Sequence, residues 1–163
     1  MNKVIGILQK AQIAAGGLFL TVFLIAVVIQ IASRYIGVSV IWTEDVSLYS
    51  FIWAVFMGAA AMVWERRHFA FTSLNDAVKS PAFKLALSLV VSLVILLFAL
   101  CMCGYGIRIT RQFWNYQWVT IPAFKRGPIW LCLPVSGGTM ALYAGCLIIN
   151  DIRAFFRPAK GDS

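Results

Sequence analysis

Four long uncharged stretches are the feature that most constrains the fold of this chain. Their charged borders are Lys10 and Arg34, Asp45 and Glu65, Lys84 and Arg108, and Arg126 and Asp151, and they contain 23, 19, 23 and 24 residues. An α-helix rises about 1.5 Å per residue, so roughly 20 apolar residues cross the hydrocarbon core of a bilayer. The chain is therefore expected to be an all-α integral membrane protein with four transmembrane helices, near residues 11–32, 46–64, 85–107 and 128–150.

Composition agrees with a membrane location. The chain is 61% hydrophobic and its mean hydropathy is +0.86, whereas soluble domains are about 45 to 50% apolar. The first apolar stretch is longer than the roughly 7 to 15 residues of a signal-peptide core, so a retained anchor is expected. Short loops predict a single four-helix domain over residues 1–163, in an up-and-down bundle whose consecutive helices are neighbours.

The distribution of basic residues predicts the orientation. The net charge of +8 lies in loops beside the membrane, which gives no support for nucleic-acid binding. The two termini and the middle loop together hold nine Lys and Arg residues, and the first and third loops hold five. Because cytoplasmic loops are enriched in Lys and Arg, both termini are expected in the cytoplasm.

The start of the second span carries recognisable boundary residues. Thr43 is expected to cap the helix, and Glu44 and Asp45 are expected in its first turn, where carboxylates favour the exposed N–H groups. Trp42 and Trp64 lie 22 positions apart, or about 33 Å along a helix. They are expected to bracket the span as interfacial anchors.

Aromatic and small residues predict further contacts. Residues 112–124 are rich in aromatic side chains, which suits the headgroup zone, and three more tryptophans are candidate interfacial anchors: Trp114, Trp118 and Trp130. Residues 69–83 could lie along the cytoplasmic interface. Small residues four apart, Ala54 with Gly58 and Gly137 with Ala141 and Gly145, would let helices approach closely.

Two prolines mark the fourth span. Pro128 suits the first turn of its helix, since the missing N–H has no partner there in any case. Pro134 lies six residues further on and is expected to kink the helix.

Several chemistries lack the residues that they need. Asp, Glu, Lys, Arg and His all lie at or outside the span borders, whereas transporters acting alone usually keep ionisable groups inside the membrane. The single histidine gives no second haem ligand, and no CxxC pair or HExxH motif is present. We therefore predict no catalytic, cofactor-binding or metal-binding residues, and a protein that is not an enzyme. A subunit of a larger assembly and a stand-alone membrane anchor or small transporter both remain open.

The motifs around the second span resemble a known family. "RY" ends the first span, "WTED" opens the second, Trp53 lies within it, and "GAAAMVWERRH" closes it. A tryptophan-bearing loop then leads into "PIW" at residues 128–130. This order resembles the small, DctQ-like membrane subunit of tripartite ATP-independent periplasmic (TRAP) transporters, over nearly the whole chain.

The resemblance implies an importer in three parts in the bacterial inner membrane. A periplasmic solute-binding protein captures an organic acid such as a dicarboxylate, sialic acid, sugar acid or sulfonate. A large polytopic membrane subunit moves it with sodium, and the small subunit supports that large subunit as a non-catalytic scaffold. Sodium coupling is expected on the large subunit, so no cofactor is expected here, and the partners are these two proteins and membrane lipid.

The resemblance also implies a set of partner-interface candidates. The residues at the recurring positions of the family are Arg34, Trp42, Glu44, Asp45, Trp53, Gly58, Arg67 and His68. For the two acids, simple helix-start carboxylates and pairing with Arg34 or with a base of the large subunit both remain open. Arg34 could end a span beside lipid phosphate or contact the binding protein.

Overall fold

The protein is a bundle of long helices. A computed structural model describes residues 2–65 and 81–156. Its helices are α1 (Asn2–Ile36), α2 (Trp42–Trp64), α3 (Pro81–Phe113), the short α4 (Gly127–Trp130) and α5 (Cys132–Phe156). Four segments are long and apolar enough to cross a membrane: α1, α2, α3 and the α4–α5 pair. The prediction of an all-α protein with four spans is confirmed.

Two helices are longer than the sequence predicts. α1 has 35 residues and α3 has 33, so each extends well past the roughly 30 Å of hydrocarbon. Lys10 and Arg108, taken as borders, lie within helices. A helix satisfies its own backbone groups, and long basic side chains can reach water from a buried backbone. Charge therefore marks the edge of the apolar layer and not the end of the helix.

Helix α5 lies between α2 and α3. The extensive contacts join α1 with α2, α2 with α5, and α3 with α5, whereas α2 and α3 make no more than a marginal contact in the described chain. The expectation that consecutive helices are neighbours is thus wrong for α2 and α3. The α4–α5 segment is the most buried of the four spans, because it packs against helices on both sides.

Small and hydroxyl-bearing residues form the packing faces. On α2 the buried positions include Thr43, Ser47, Ser50, Ala60 and Ala61. The outer faces of the helices expose large apolar side chains instead. Lipid tails are as apolar as the side chains, so helices in a membrane associate through close packing and hydrogen bonds.

Glycines allow the closest approaches. A Cβ on Gly137 would lie 2.7 Å from the backbone nitrogen of Cys103, and one on Gly106 would lie 2.8 Å from Pro134. The predicted small-residue contact is therefore present at Gly137, where α5 meets α3. A Cβ on Gly145 would meet no described atom within 4 Å, so that position makes no close contact within this part of the chain.

One local expectation is wrong. Thr43 does not cap α2: the helix already begins at Trp42, and the Thr43 hydroxyl donates a hydrogen bond back to the carbonyl of Val40 at 2.8 Å. The helix of the fourth span is interrupted near Pro134, at Leu131, the single residue between α4 and α5. Pro134 lacks the N–H that would bond to the carbonyl four residues earlier, that of Trp130. Glu44 and Asp45 do lie in the first turn of α2.

Candidate partner-binding site

The charged candidate residues around the start of α2 lie at one end of the bundle. The loop between α1 and α2, residues 37–41, and the loop between α3 and α4, residues 114–126, lie at the same end. We call this end the loop face and the opposite end the terminal face. Arg34, Trp42, Glu44 and Asp45 all lie at the loop face.

A sharp turn after α1 shapes a small pocket there. Gly37 adopts a positive φ of 77°, which glycine accepts without strain, and its N–H donates to the carbonyl of Arg34 at 3.2 Å. The pocket has a volume of about 130 Å³ and is lined by Gln30, Ser33, Arg34, residues 38–41 and Glu44. Arg34 and Glu44 are exposed. The structure brings both to one pocket without an ion pair between them.

Asp45 is buried and has a different partner. Its side chain is 7% exposed. One carboxylate oxygen, Oδ2, accepts hydrogen bonds from the backbone N–H of Thr120 at 2.9 Å and from its hydroxyl at 2.6 Å. Hydrogen bonds to an ionised acceptor are roughly twice as strong as neutral ones. Asp45 therefore fastens the 114–126 loop onto α2. Within the described chain, the hydrogen-bond partner of Asp45 is Thr120 and not Arg34.

The fastened loop is a compact hairpin. The N–H of Trp118 donates to the carbonyl of Phe124 at 2.9 Å, and that of Arg126 donates to the carbonyl of Tyr116 at 2.7 Å. The indole N–H of Trp118 donates to the carbonyl of Lys125 at 3.1 Å. An isolated antiparallel bridge joins Gln117 to Lys125. The loop thus carries its own backbone pairing as well as the bond to Asp45.

Side chains of α2 also hold this hairpin. The rings of Tyr49 and Trp118 have centroids 4.8 Å apart, and the Arg126 guanidinium lies near the Tyr49 hydroxyl. Arg126 is half-buried, whereas Arg108, Arg111 and Lys125 are exposed. Of the four basic residues near this loop, Arg126 is therefore the one whose side chain packs within the fold.

Trp53 and Gly58 lie in the middle of α2, on its side toward α1. Trp53 is half-buried, and its ring stacks on Phe19 at 5.3 Å between centroids. A Cβ on Gly16 would lie 3.6 Å from the backbone nitrogen of Gly58. Both residues take part in the packing of α1 against α2, and the outer part of the Trp53 ring is still accessible.

The tryptophans predicted as interfacial anchors differ in exposure. Trp42 is the first residue of α2 and Trp64 is the last. Trp42 and Trp114 are each 43% exposed. Three others pack within the bundle, where Trp64 contacts Tyr143, Trp118 contacts Tyr49, and Trp130 contacts Phe113.

Polar bonds toward the terminal face were not anticipated from the sequence. Gln12 uses both ends of its amide: Nε2 donates to the Thr139 hydroxyl at 2.8 Å, and Oε1 accepts from the Tyr143 hydroxyl at 2.6 Å. Gln9 donates to Glu65 at 2.8 Å. Two amides three positions apart share a helix face, which is a signal that could have identified them.

Ser88 and Asp151 form a further bond between helices. The Ser88 hydroxyl donates to Oδ2 of Asp151 at 2.5 Å and so joins α3 to the end of α5. Arg67, His68 and most of the proposed interfacial segment 69–83 lie outside the described residues. Within the described ranges, no group of three or more His, Cys, Asp or Glu side chains is placed to hold a metal ion.

Sequence comparison identifies the family. The search of curated proteins finds no match. A family model described as "Tripartite ATP-independent periplasmic transporters, DctQ component" matches residues 23–154, most of the chain. The match includes the pocket, the Asp45 contact and the hairpin. Together with its four spanning segments, the match shows that this multi-pass membrane protein belongs to the DctQ family, the small membrane component of TRAP transporters.

Proposed function

We propose that this chain is the non-catalytic scaffold subunit of a sodium-coupled TRAP importer. It supports the large polytopic membrane subunit, which moves an organic acid delivered by a periplasmic solute-binding protein. The transported organic acid is a dicarboxylate, sialic acid, another sugar acid or a sulfonate. Sodium and substrate bind to the partner proteins, so the small subunit needs no cofactor.

One observation carries the scaffold role: two buried polar side chains join segments that are far apart in the chain. The Gln12 amide of α1 bonds to Thr139 and Tyr143 of α5, and its Nε2 also contacts Met57 Sδ of α2 at 3.8 Å. Asp45 of α2 bonds to Thr120 of the loop hairpin. Groups engaged in this way stabilise one arrangement of the bundle, which suits a subunit that stays fixed while its partner moves.

The outer faces of the helices support the same role. α1 and α3 expose long apolar surfaces. In the most apolar 18-residue stretch of each helix, only 17% is buried. A large subunit that moves in the bilayer needs a fixed neighbour, and such faces can bind either lipid or the apolar helices of a partner. Trp53, Gly58, Trp42, Arg67 and His68 remain candidates for that contact.

Reconstitution into liposomes tests the proposal. The chain alone is expected to give no sodium-dependent uptake of any of the four substrate classes. Uptake is expected when the large subunit and the loaded binding protein are added, and it should require a sodium gradient. Uptake of a solute by the purified chain alone would contradict the scaffold role and favour a stand-alone small transporter.

The proposed orientation places both termini in the cytoplasm of a bacterial inner membrane. Ser39 lies exposed in the first loop and Lys3 is exposed near the N-terminus. In cells, a membrane-impermeant maleimide is expected to label Ser39→Cys directly, and Lys3→Cys only after the inner membrane is opened. The native cysteines in the parent chain provide the background. The reverse pattern would overturn the orientation.

A further inference from the structure

The pocket at the loop face holds charges of both signs. Arg34 comes from the end of α1 and Glu44 from the first turn of α2, and both line the same space of about 130 Å³. Gln30 and Ser39 add an amide and a hydroxyl to the lining. At about 30 Å³ per molecule, the space is that of roughly four waters. It can take a small group that carries both a negative and a positive charge.

Below this pocket, an exposed apolar strip on α2 runs into the membrane. On α2, Leu48, Phe51 and Val55 follow Glu44 at intervals of four, seven and eleven residues, so they share its helix face. Each of the three is about half exposed, at 52%, 45% and 47%. Below the charged group, this face therefore offers accessible apolar surface.

Helix α1 repeats the pattern in the opposite direction. Counting back from Arg34 by four, seven and eleven residues gives Gln30, Val27 and Phe23, again on one face. The rings of Phe23 and Phe51 lie 5.1 Å apart between centroids. The apolar faces of α1 and α2 thus touch at Phe51, below the polar pocket.

The exposed strip from Glu44 to Val55 is about as long as one leaflet is thick. Eleven residues of α-helix span about 16 Å, and half of a hydrocarbon core of about 30 Å is about 15 Å. We infer that the pocket and this strip bind a phospholipid whose headgroup carries a primary ammonium, such as phosphatidylethanolamine. The phosphate lies against Arg34, the ammonium against Glu44, and an acyl chain along Leu48, Phe51 and Val55.

The side-chain chemistry selects this headgroup over others. The guanidinium of Arg34 presents N–H donors in a fork that fits phosphate oxygens. Glu44 accepts hydrogen bonds from a primary ammonium, whereas a choline group has no N–H to donate. A purely anionic headgroup would leave the Glu44 carboxylate without a cation and facing like charge. A free aminoalkyl phosphate shares the charges but has no acyl chain to contact the apolar strip.

Native mass spectrometry of the purified full-length chain tests this assignment. Phosphatidylethanolamine, phosphatidylglycerol and phosphatidylcholine with identical acyl chains are added at equal concentration. Phosphatidylethanolamine is expected to be retained about tenfold better than either of the others, the factor expected for one charge-assisted hydrogen bond. Glu44→Gln should abolish that preference, and Arg34→Gln should reduce retention of all three lipids. Arg108→Gln, at an exposed arginine outside the pocket, should change neither.

Two further arms identify the occupant, and thermal unfolding first establishes that each variant is folded. Excess free O-phosphoethanolamine is expected to leave the bound lipid in place; displacement by it would show a soluble ligand and overturn the lipid assignment. The second arm measures pull-down of the large subunit in the complex. A Glu44→Gln variant that keeps its lipid preference but loses the large subunit would show that a basic residue of the partner occupies the pocket. That result would also overturn the lipid assignment.

Discussion

The contact between Asp45 and Thr120 makes the loop hairpin a testable unit. Thr120→Val keeps the shape of the side chain and removes the hydroxyl that donates to Asp45 Oδ2 at 2.6 Å, while the N–H bond at 2.9 Å remains. A hydrogen bond to a charged group contributes about 1.5 to 3 kcal/mol. Asp45 is 7% exposed, so water compensates little for the loss. The free energy of opening the hairpin should fall by about that amount.

Hydrogen exchange of the 114–126 segment measures this change. The N–H groups of Trp118 and Arg126 are bonded within the hairpin, so their exchange reports its opening. A loss of about 1.5 to 3 kcal/mol corresponds to exchange roughly ten- to a hundredfold faster. Asp45→Ala removes the acceptor of both bonds and should accelerate exchange further.

The chain provides a matched control for the threonine change. Thr21 is exposed, and its hydroxyl donates only to the carbonyl of Gly17 in the same helix, at 2.9 Å. Thr21→Val should leave exchange of the hairpin unchanged. Unchanged exchange in Thr120→Val, or equal acceleration in both variants, would refute the conclusion that Asp45 fastens the hairpin.

Two further predictions concern the packing of α5. Gly137→Ala should destabilise the bundle by about 1 to 3 kcal/mol, because its new Cβ would lie 2.7 Å from the nitrogen of Cys103. Gly138→Ala meets nothing within 4 Å and should be neutral or stabilising by up to about 1 kcal/mol; equal effects of the two in denaturant unfolding would contradict this account. Tyr143→Phe should cost about 0.6 to 1.7 kcal/mol by leaving Oε1 of Gln12 without its donor. In a double-mutant cycle with Gln12→Leu, strictly additive losses would show that the two side chains are not coupled.

The four-span fold could be predicted from the sequence because bilayer thickness and backbone hydrogen bonding leave few alternatives. A run of some 20 apolar residues must form a helix when no water can satisfy its backbone. The end of α2 at Trp64 also followed from sequence, since aromatic rings favour the interface. Its start at Trp42 did not, because a cap at Thr43 implies a helix that begins at Glu44. The true lengths of α1 and α3 did not follow, because a helix can continue into water past the charged residues that mark the membrane edge.

The candidate site could be predicted only in part. The motif around α2 located Arg34, Glu44 and Asp45 at one end of the bundle. It did not separate the two neighbouring acids, which differ by one position and about 100° around the helix. That rotation points Glu44 to the pocket beside Arg34 and points Asp45 to Thr120, a residue 75 positions away.

The sequence by itself determined the helical class, the number of spans and the placement of the charged residues at their ends. These depend on local composition and on the thickness of the hydrocarbon layer. Only the tertiary structure decided that α5 lies between α2 and α3, that Gln12 bonds to α5, and that Asp45 holds the hairpin. Such contacts join residues far apart in the chain, and they depend on which small-residue faces fit together, which no single segment specifies.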